Sequence, residues 1–407
     1  MYPLLRGLRV IECASFIAAP SCALHLQQLG ADVVRIDAIG GGPDFHRWPV
    51  SPNGSSLYWE GLNKGKRSIA VDFSKPKGRQ LVVDLVTVSG SNAGILVTNL
   101  PAAGFLAHEK LRERRQDVIT LRVTGWSDGS SAVDYTVNAA IGLPYMTGPS
   151  ENGNAPVNHV LPAWDLMAGA YAAFMTLAAE RHRRDTGAGA EVLVPLSDVA
   201  LASLGHMGMI AEALTAGDRP RFGNALFGAF GRDFETADGE RLMIVAITSK
   251  QWTSLLDALQ ITAEIATIEA SGNVDFTADE GARFEHRDTL FPIVERAVRA
   301  SRLSDLAPRF EARGVCWSQY RSLSAALHSV PQFSLDRPLF TDLDHPSGLR
   351  YPAPGAAATI SGAPREPVVR APKLGEHTDQ VLADVLALST TEIGALHDAG
   401  VVAGPGR

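Results

Sequence analysis

Asp165 stands at the front of a stretch, Leu166 to Ala179, that carries no charged residue. Leu161-Pro162-Ala163-Trp164 leads into it, which puts Asp165 in the first turn of an apolar helix. A carboxylate there meets the positive end of the helix and free amide donors. It is therefore expected to stay ionised even where water is scarce. An ionised, partly desolvated carboxylate is suited to attack an acyl group. The same spacing fits a plain N-cap or first-turn aspartate, and Asp198 opens the next helix in the same way. His159, shortly before Asp165, fits a structural hydrogen bond or a part in the chemistry equally well.

Other chemistries find less support. Gly61-Leu62-Asn63-Lys64-Gly65-Lys66-Arg67-Ser68 is one residue short of a phosphate loop, and it precedes a strand instead of opening a helix. Gly40-Gly41-Gly42 follows a strand but lacks the spaced third glycine of a dinucleotide fingerprint. No H-E-x-x-H pair offers a zinc site. Cys13, Cys22 and Cys316 form no C-x-x-C pair, so no metal site is expected and a reducing, cytoplasmic setting is. A net charge of −7 without a long basic run argues against nucleic acid. Met1 to Arg6 reads as running into a strand without a signal sequence, and Leu166 to Ala179 is short for a membrane span.

The elements that would position Asp165 follow a strand–helix rhythm. Leu8–Glu12, Asp32–Ile36, Ser68–Phe73, Ile95–Thr98, Val118–Val123 and Glu191–Leu196 read as strands. Helices fall between them, one opening at Pro76 and a long one running from about Ala163 to Arg184. Such alternation predicts an α/β fold with a mainly parallel sheet covered on both faces. The 407 residues exceed one ordinary core. Residues 1–217 are expected to form a Rossmann-like large domain and 218–330 a smaller α+β domain. Pro331 to Pro372 reads as a long extended connection, after which 331–407 returns to the large domain. Ser389 with Glu392 is a capping-box pattern opening a last helix.

Several blocks, in order, resemble the family III CoA-transferases across nearly the whole chain. They include Leu8–Glu12, Ala18-Ala19-Pro20, Leu29–Ile36, Asn63–Asp72 and Val97–Pro101. Asp165 with Thr186–Gly189 matches the segment bearing that family's catalytic aspartate, and Pro372–Thr378 its C-terminal signature. Gly40 to Pro49, Val133 to Asn138, Val157 to Asp165, Gly223-Asn224, Gly231 to Thr236 and Tyr320-Arg321 resemble members that act on a C5 unsaturated dicarboxylate. Where many relatives carry a run of glycines, this chain has Ala225-Leu226-Phe227-Gly228-Ala229-Phe230-Gly231, which implies a tighter, more apolar flap.

The resemblance implies an interlocked homodimer and a substrate that is an acyl-CoA thioester, with no cofactor beyond the CoA of the substrate. Asp165 would be the nucleophile, forming aspartyl anhydride and aspartyl-CoA thioester intermediates as CoA moves within one mesaconyl group. It implies CoA contacts at Phe16, Ala18, Val71, Lys75 and Asn99, and substrate contacts at Arg47, Tyr135, His159 and Arg232. Amides around Gly228 and Gly231 would serve as oxyanion donors. Two alternatives share these residues: transfer of CoA to a free dicarboxylic acid, and idle binding of an acyl-CoA. A racemase would want a histidine within Val133 to Asn138, and none is there.

Overall fold

The computed structural model of the chain describes residues 1–406, which form two compact units. The first takes in Met1–Ile141, His159–Ala211 and the chain from Pro331 on, and the second Gly142–Asn158 and Glu212–Val330. The break expected at 217/218 thus lies at 211/212, and residues 142–158 leave the first unit altogether. Hydrogen bonds remote in sequence explain this. The Arg221 side chain donates to the carbonyls of Pro144, Tyr145 and Ala155, and the Gly223 amide donates to Gly148.

In the first unit β1 (Arg9–Cys13), β2 (Asp32–Asp37), β3 (Arg67–Val71), β4 (Ile95–Thr98), β5 (Ile119–Thr124) and β6 (Ala190–Pro195) run parallel. The β-branched runs form strands buried on both faces, as a sheet between helical layers requires. Ile11 pairs with Val34 on one side and Leu96 on the other. β6 is the sheet's edge and alternates half-buried with exposed residues up to Leu193, with Val194 buried.

The second unit carries an antiparallel sheet of β7 (Phe230–Glu235), β8 (Arg241–Ala246) and β9 (Cys316–Gln319). Its core gathers Phe230, Phe234, Trp252, Phe276, Phe291 and Phe310.

Back in the first unit, the stretch read as an extended connection contains a hairpin, β10 (Phe340–Asp344) with β11 (Arg350–Pro354). Arg350 bridges Asp342 and Asp344 within it, and Gly348 turns it at a φ of +77° that favours glycine. Finally β12 (Val402–Ala403) joins antiparallel to β3, completing the order β12-β3-β2-β1-β4-β5-β6. The capping box forms as read: Ser389 accepts from the Glu392 amide, and the Glu392 carboxylate accepts from Ser389 N–H at 2.8 Å.

Asp165 enters through the long helix Ala163–Thr186, which packs against the helix Ala18–Gln28 behind β1. Gly169 makes the crossing close. A Cβ there would come within 2.8 Å of the Ala18 carbonyl oxygen and of Ser21 Cβ. Glycine inside this helix therefore reflects contact, not a break in it. The front of the helix is held beside the loop that follows β1.

Candidate active site

Asp165 lies in the first turn of the long helix, as its sequence setting predicts, but it neither caps the helix nor keeps the amide donors. Asp134 takes them. One oxygen of its carboxylate accepts from the Trp164 amide at 2.6 Å and the Asp165 amide at 3.1 Å. Its other oxygen is 2.7 Å from His159 Nε2. Among the described residues no hydrogen bond reaches the Asp165 carboxylate itself. Burial, then the Asp134 charge, push the Asp165 carboxyl up to about 7, with Arg47 pulling the other way. The expected stabilisation by the helix end fails because a second carboxylate already occupies it.

The cation nearest in effect is Arg47. Its guanidinium lies over the rings of Phe16, 5.4 Å from the centroid, and Tyr58, 5.5 Å. No ion-pair partner of Arg47 is found among the described residues, so its fork is open to a carboxylate. Tyr58 was not singled out by sequence, where it is one aromatic of a short helix, Leu57–Leu62. Its hydroxyl is buried without a hydrogen-bond partner among the described residues. Burial raises its pKa, Arg47 lowers it and Asp165 raises it. An unspent donor thus shares its electrostatic surroundings with Asp165.

A buried ionic cluster supports this corner. Arg35, fully buried, donates to Glu12, Asp37, Asp44 and Asn63. Lys66 completes it with Glu12 at 2.7 Å. Asp44 then reaches forward: its Oδ2 accepts from the Phe16 amide at 3.2 Å, and its carbonyl accepts from the Arg47 amide at 3.2 Å. Phe16 is held at a φ of +67°, rare for a bulky residue. Asn99 fixes the preceding residue, bonding both the amide and the carbonyl of Ser15. The glycine-rich and Asn63–Lys66 segments that imitate nucleotide loops serve this cluster or flank it.

A profile of CoA-transferase family III matches residues 5–378. The chain is also 47% identical over 409 residues to 2-methylfumaryl-CoA isomerase of Chloroflexus aurantiacus, covering 100% of both chains. The chain belongs to CoA-transferase family III. It is 27% identical to succinyl-CoA:glutarate CoA-transferase of Homo sapiens, over 98% of this chain and 90% of that one. The crystal structure of a CAIB/BAIF family protein from Brucella suis matches with a TM-score of 0.75 at 25% identity, covering 95% of this chain and 100% of that chain. The parallel-dominated α/β sheet expected from sequence is the fold of this family.

Residues that the family resemblance implied fall into three groups. Phe16, Arg47, Tyr135, His159 and Asp165 are gathered around the helix entrance. Tyr135 donates to the Val160 carbonyl, and its ring lies 5.7 Å from that of His159. Ala18, Val71 and Asn99 lie at or just beyond the carboxyl ends of β1, β3 and β4, where ligands of open α/β sheets bind. Lys75 instead turns its ammonium onto the carbonyls of Ala399 and Gly400, at 2.7 and 2.8 Å.

The third group belongs to the second unit. Arg232 pairs with Glu295 at 2.8 Å and stacks on Phe234 and Phe291. It lines a cavity of about 620 Å³ in which Arg241 likewise meets acids, Asp233 and Glu235. Gly231 is inside β7 opposite Val245, whereas Gly228 precedes the strand in a turn at a φ of +79°.

One serine motif was passed over in the sequence. Gly125-Trp126-Ser127-Asp128-Gly129 has the G-x-S-x-G spacing and follows β5. It forms a tight exposed turn, with the Trp126 amide donating to Ser130, and not a strand-to-helix elbow. Among the described residues no group of three or more acids, histidines or cysteines is arranged to hold a metal, and no helix is long and apolar enough to cross a membrane.

Proposed function

We propose that this chain moves CoA between the two carboxyl groups of one mesaconyl unit, converting 2-methylfumaryl-CoA to 3-methylfumaryl-CoA. The 47% identity along its full length to the isomerase of Chloroflexus aurantiacus carries this reading. The corner around Asp165 supplies the chemistry. A carboxylate pushed up to about 7 is more basic and more nucleophilic than an ordinary one, and still substantially ionised near neutrality.

Asp165 attacks the thioester carbonyl, the C–S bond breaks, and a mixed anhydride and CoA thiolate result. The thiolate attacks the aspartyl carbonyl and releases the first carboxylate, leaving aspartyl-CoA thioester. The other carboxylate attacks that thioester and expels the thiolate, which then attacks the second anhydride at the substrate carbonyl. Asp165 is regenerated, and no proton is gained or lost overall.

Each step passes through an oxyanion, and the unpartnered Tyr58 hydroxyl is the donor for it. Arg47, free of an acid partner, holds the carboxylate that is not reacting. Phe16, Ala18, Val71 and Asn99 line the CoA path. Lys75 is assigned to the Ala399 and Gly400 carbonyls in preference to phosphate.

The assembly is proposed to be an interlocked homodimer. Met167, Tyr171 and Phe174 form an exposed apolar stripe on the long helix, 44, 50 and 62% accessible, and Leu193 on edge strand β6 is 54% accessible. Apolar surface of this kind marks a covered face.

The test supplies purified 2-methylfumaryl-CoA without free acid, beside a parallel run with labelled mesaconate. Conversion without acid, with label excluded from product, is expected. Conversion only in the presence of acid, with rapid entry of label, assigns the intermolecular reaction instead.

A further inference from the structure

His159 and Asp134 are joined at the one place where the main chain of the nucleophile is fixed. Asp134 is 1% exposed and begins the helix Asp134–Ala140. One oxygen of its carboxyl group meets His159 Nε2 at 2.7 Å, the geometry in which an ionised carboxylate accepts from the ring N–H. The other Asp134 oxygen is already occupied by the Trp164 and Asp165 amides. The imidazole is held in turn by rings on either side, Tyr135 at 5.7 Å and Trp164 at 6.3 Å. Trp164 is itself pinned through its indole N–H to Asn138, one turn further along the Asp134 helix. Three elements thus converge on Asp134: its own helix, the His159 segment and the entrance of the long helix.

This geometry leaves Asp134 with two effects on Asp165. Its hydrogen bonds set where the Asp165 Cα stands, and its negative charge opposes ionisation of the Asp165 carboxyl. Among the described residues, Arg47 and Tyr58 face this pair of acids on the side of Asp165, and His159 on the side of Asp134.

We propose that His159 and Asp134 form a positioning pair for the acylated aspartate, in which Asp134 holds the backbone of residues 164–165 and His159 offsets the charge that Asp134 turns toward Asp165. This rests on the reading of Asp165 as the acylated group. Neither residue exchanges a bond with substrate. The His159 side chain is 25% accessible.

The two partners are predicted to move the reaction in opposite directions. His159→Gln keeps a donor to Asp134 but no charge, leaving the Asp134 anion unopposed. Asp134→Asn keeps an oxygen for the two amides but removes the anion. The acid limb of the kcat/KM profile against pH reports ionisation of the free enzyme's nucleophile. It should rise by about one unit in His159→Gln and fall by about one unit in Asp134→Asn, the size expected of one neighbouring charge.

Hydroxylamine trapping of Asp165 during turnover is run on the wild type and both variants. Trapping with limbs displaced in opposite directions supports the pair. Trapping with both limbs unmoved, or moved the same way, overturns it while leaving the covalent reading intact. No trapping in the wild type overturns the covalent reading, and the pair with it. If Asp134→Asn does not fold, the His159→Gln limb alone decides, since a displacement downward or none at all contradicts the proposal.

Discussion

Around Arg35, the carboxylates of Glu12, Asp37 and Asp44 surround one guanidinium, and Lys66 adds a second cation to Glu12. At the entrance of the long helix, two carboxylates, Asp134 and Asp165, stand together with no guanidinium between them. All five acids are largely removed from water and lie in the same unit. The first group is paired charge against charge and acts as a frame. In the second, Asp134 takes the available donors and Asp165 is left without any. A buried acid whose burial is not compensated retains basicity that can be used in bond formation.

The contrast can be broken at its reactive end first. Asp165→Ala should lower turnover on the order of 10⁴-fold, with the variant still folded, as measured by steady-state conversion of the thioester. The frame responds differently. Arg35→Met leaves three buried acids facing one another and should cost about 3–5 kcal/mol of stability by urea unfolding. Activity would fall only because Phe16 and Arg47 lose the anchor that Asp44 gives them.

Replacing the uncompensated acid should have the reverse effect on stability. The folded-state pKa of Asp165 is raised, so folding takes up a proton between about pH 4 and pH 7, and the ionised side chain is a liability above that window. Asp165→Asn is therefore expected to stabilise the fold by a few kcal/mol at pH 8, roughly the linkage of a three-unit shift reduced by relaxation. The gain should fade as pH falls through 7 toward 4, as thermal unfolding at several pH values would register.

Smaller effects sharpen the picture. Arg47→Lys retains charge but loses the planar fork stacked on Phe16 and Tyr58, and kcat/KM should drop by about 10- to 100-fold. Lys75→Met removes hydrogen bonds to the Ala399 and Gly400 carbonyls and should cost about 1 kcal/mol while leaving KM for the acyl-CoA unchanged. A marked rise in KM would return Lys75 to the phosphates.

How much of this was legible in the sequence depends on how local each signal is. Strands β1 to β5 are short β-branched runs, and their burial follows from composition. Asp165 at a helix entrance is likewise visible in Pro162-Ala163-Trp164-Asp165 followed by fourteen uncharged residues. That Asp134, remote in sequence, takes over the amide donors is not a local property, and the same holds for the Tyr58 hydroxyl left unpaired.

The Arg221 bonds to Pro144, Tyr145 and Ala155 moved residues 142–158 to the second unit for the same reason. The hairpin β10–β11 is a different kind of miss. His345-Pro346-Ser347-Gly348 between two strand-like runs is a turn signal, hidden by the prolines on either side of it.

The most direct measurement is mass spectrometry of the Asp165 peptide from enzyme quenched during steady turnover of 2-methylfumaryl-CoA, with hydroxylamine present. The account predicts a hydroxamate or a CoA adduct on Asp165, absent without substrate and absent in Asp165→Asn. Full turnover with an unmodified Asp165 peptide, or a modification on another residue, would contradict it.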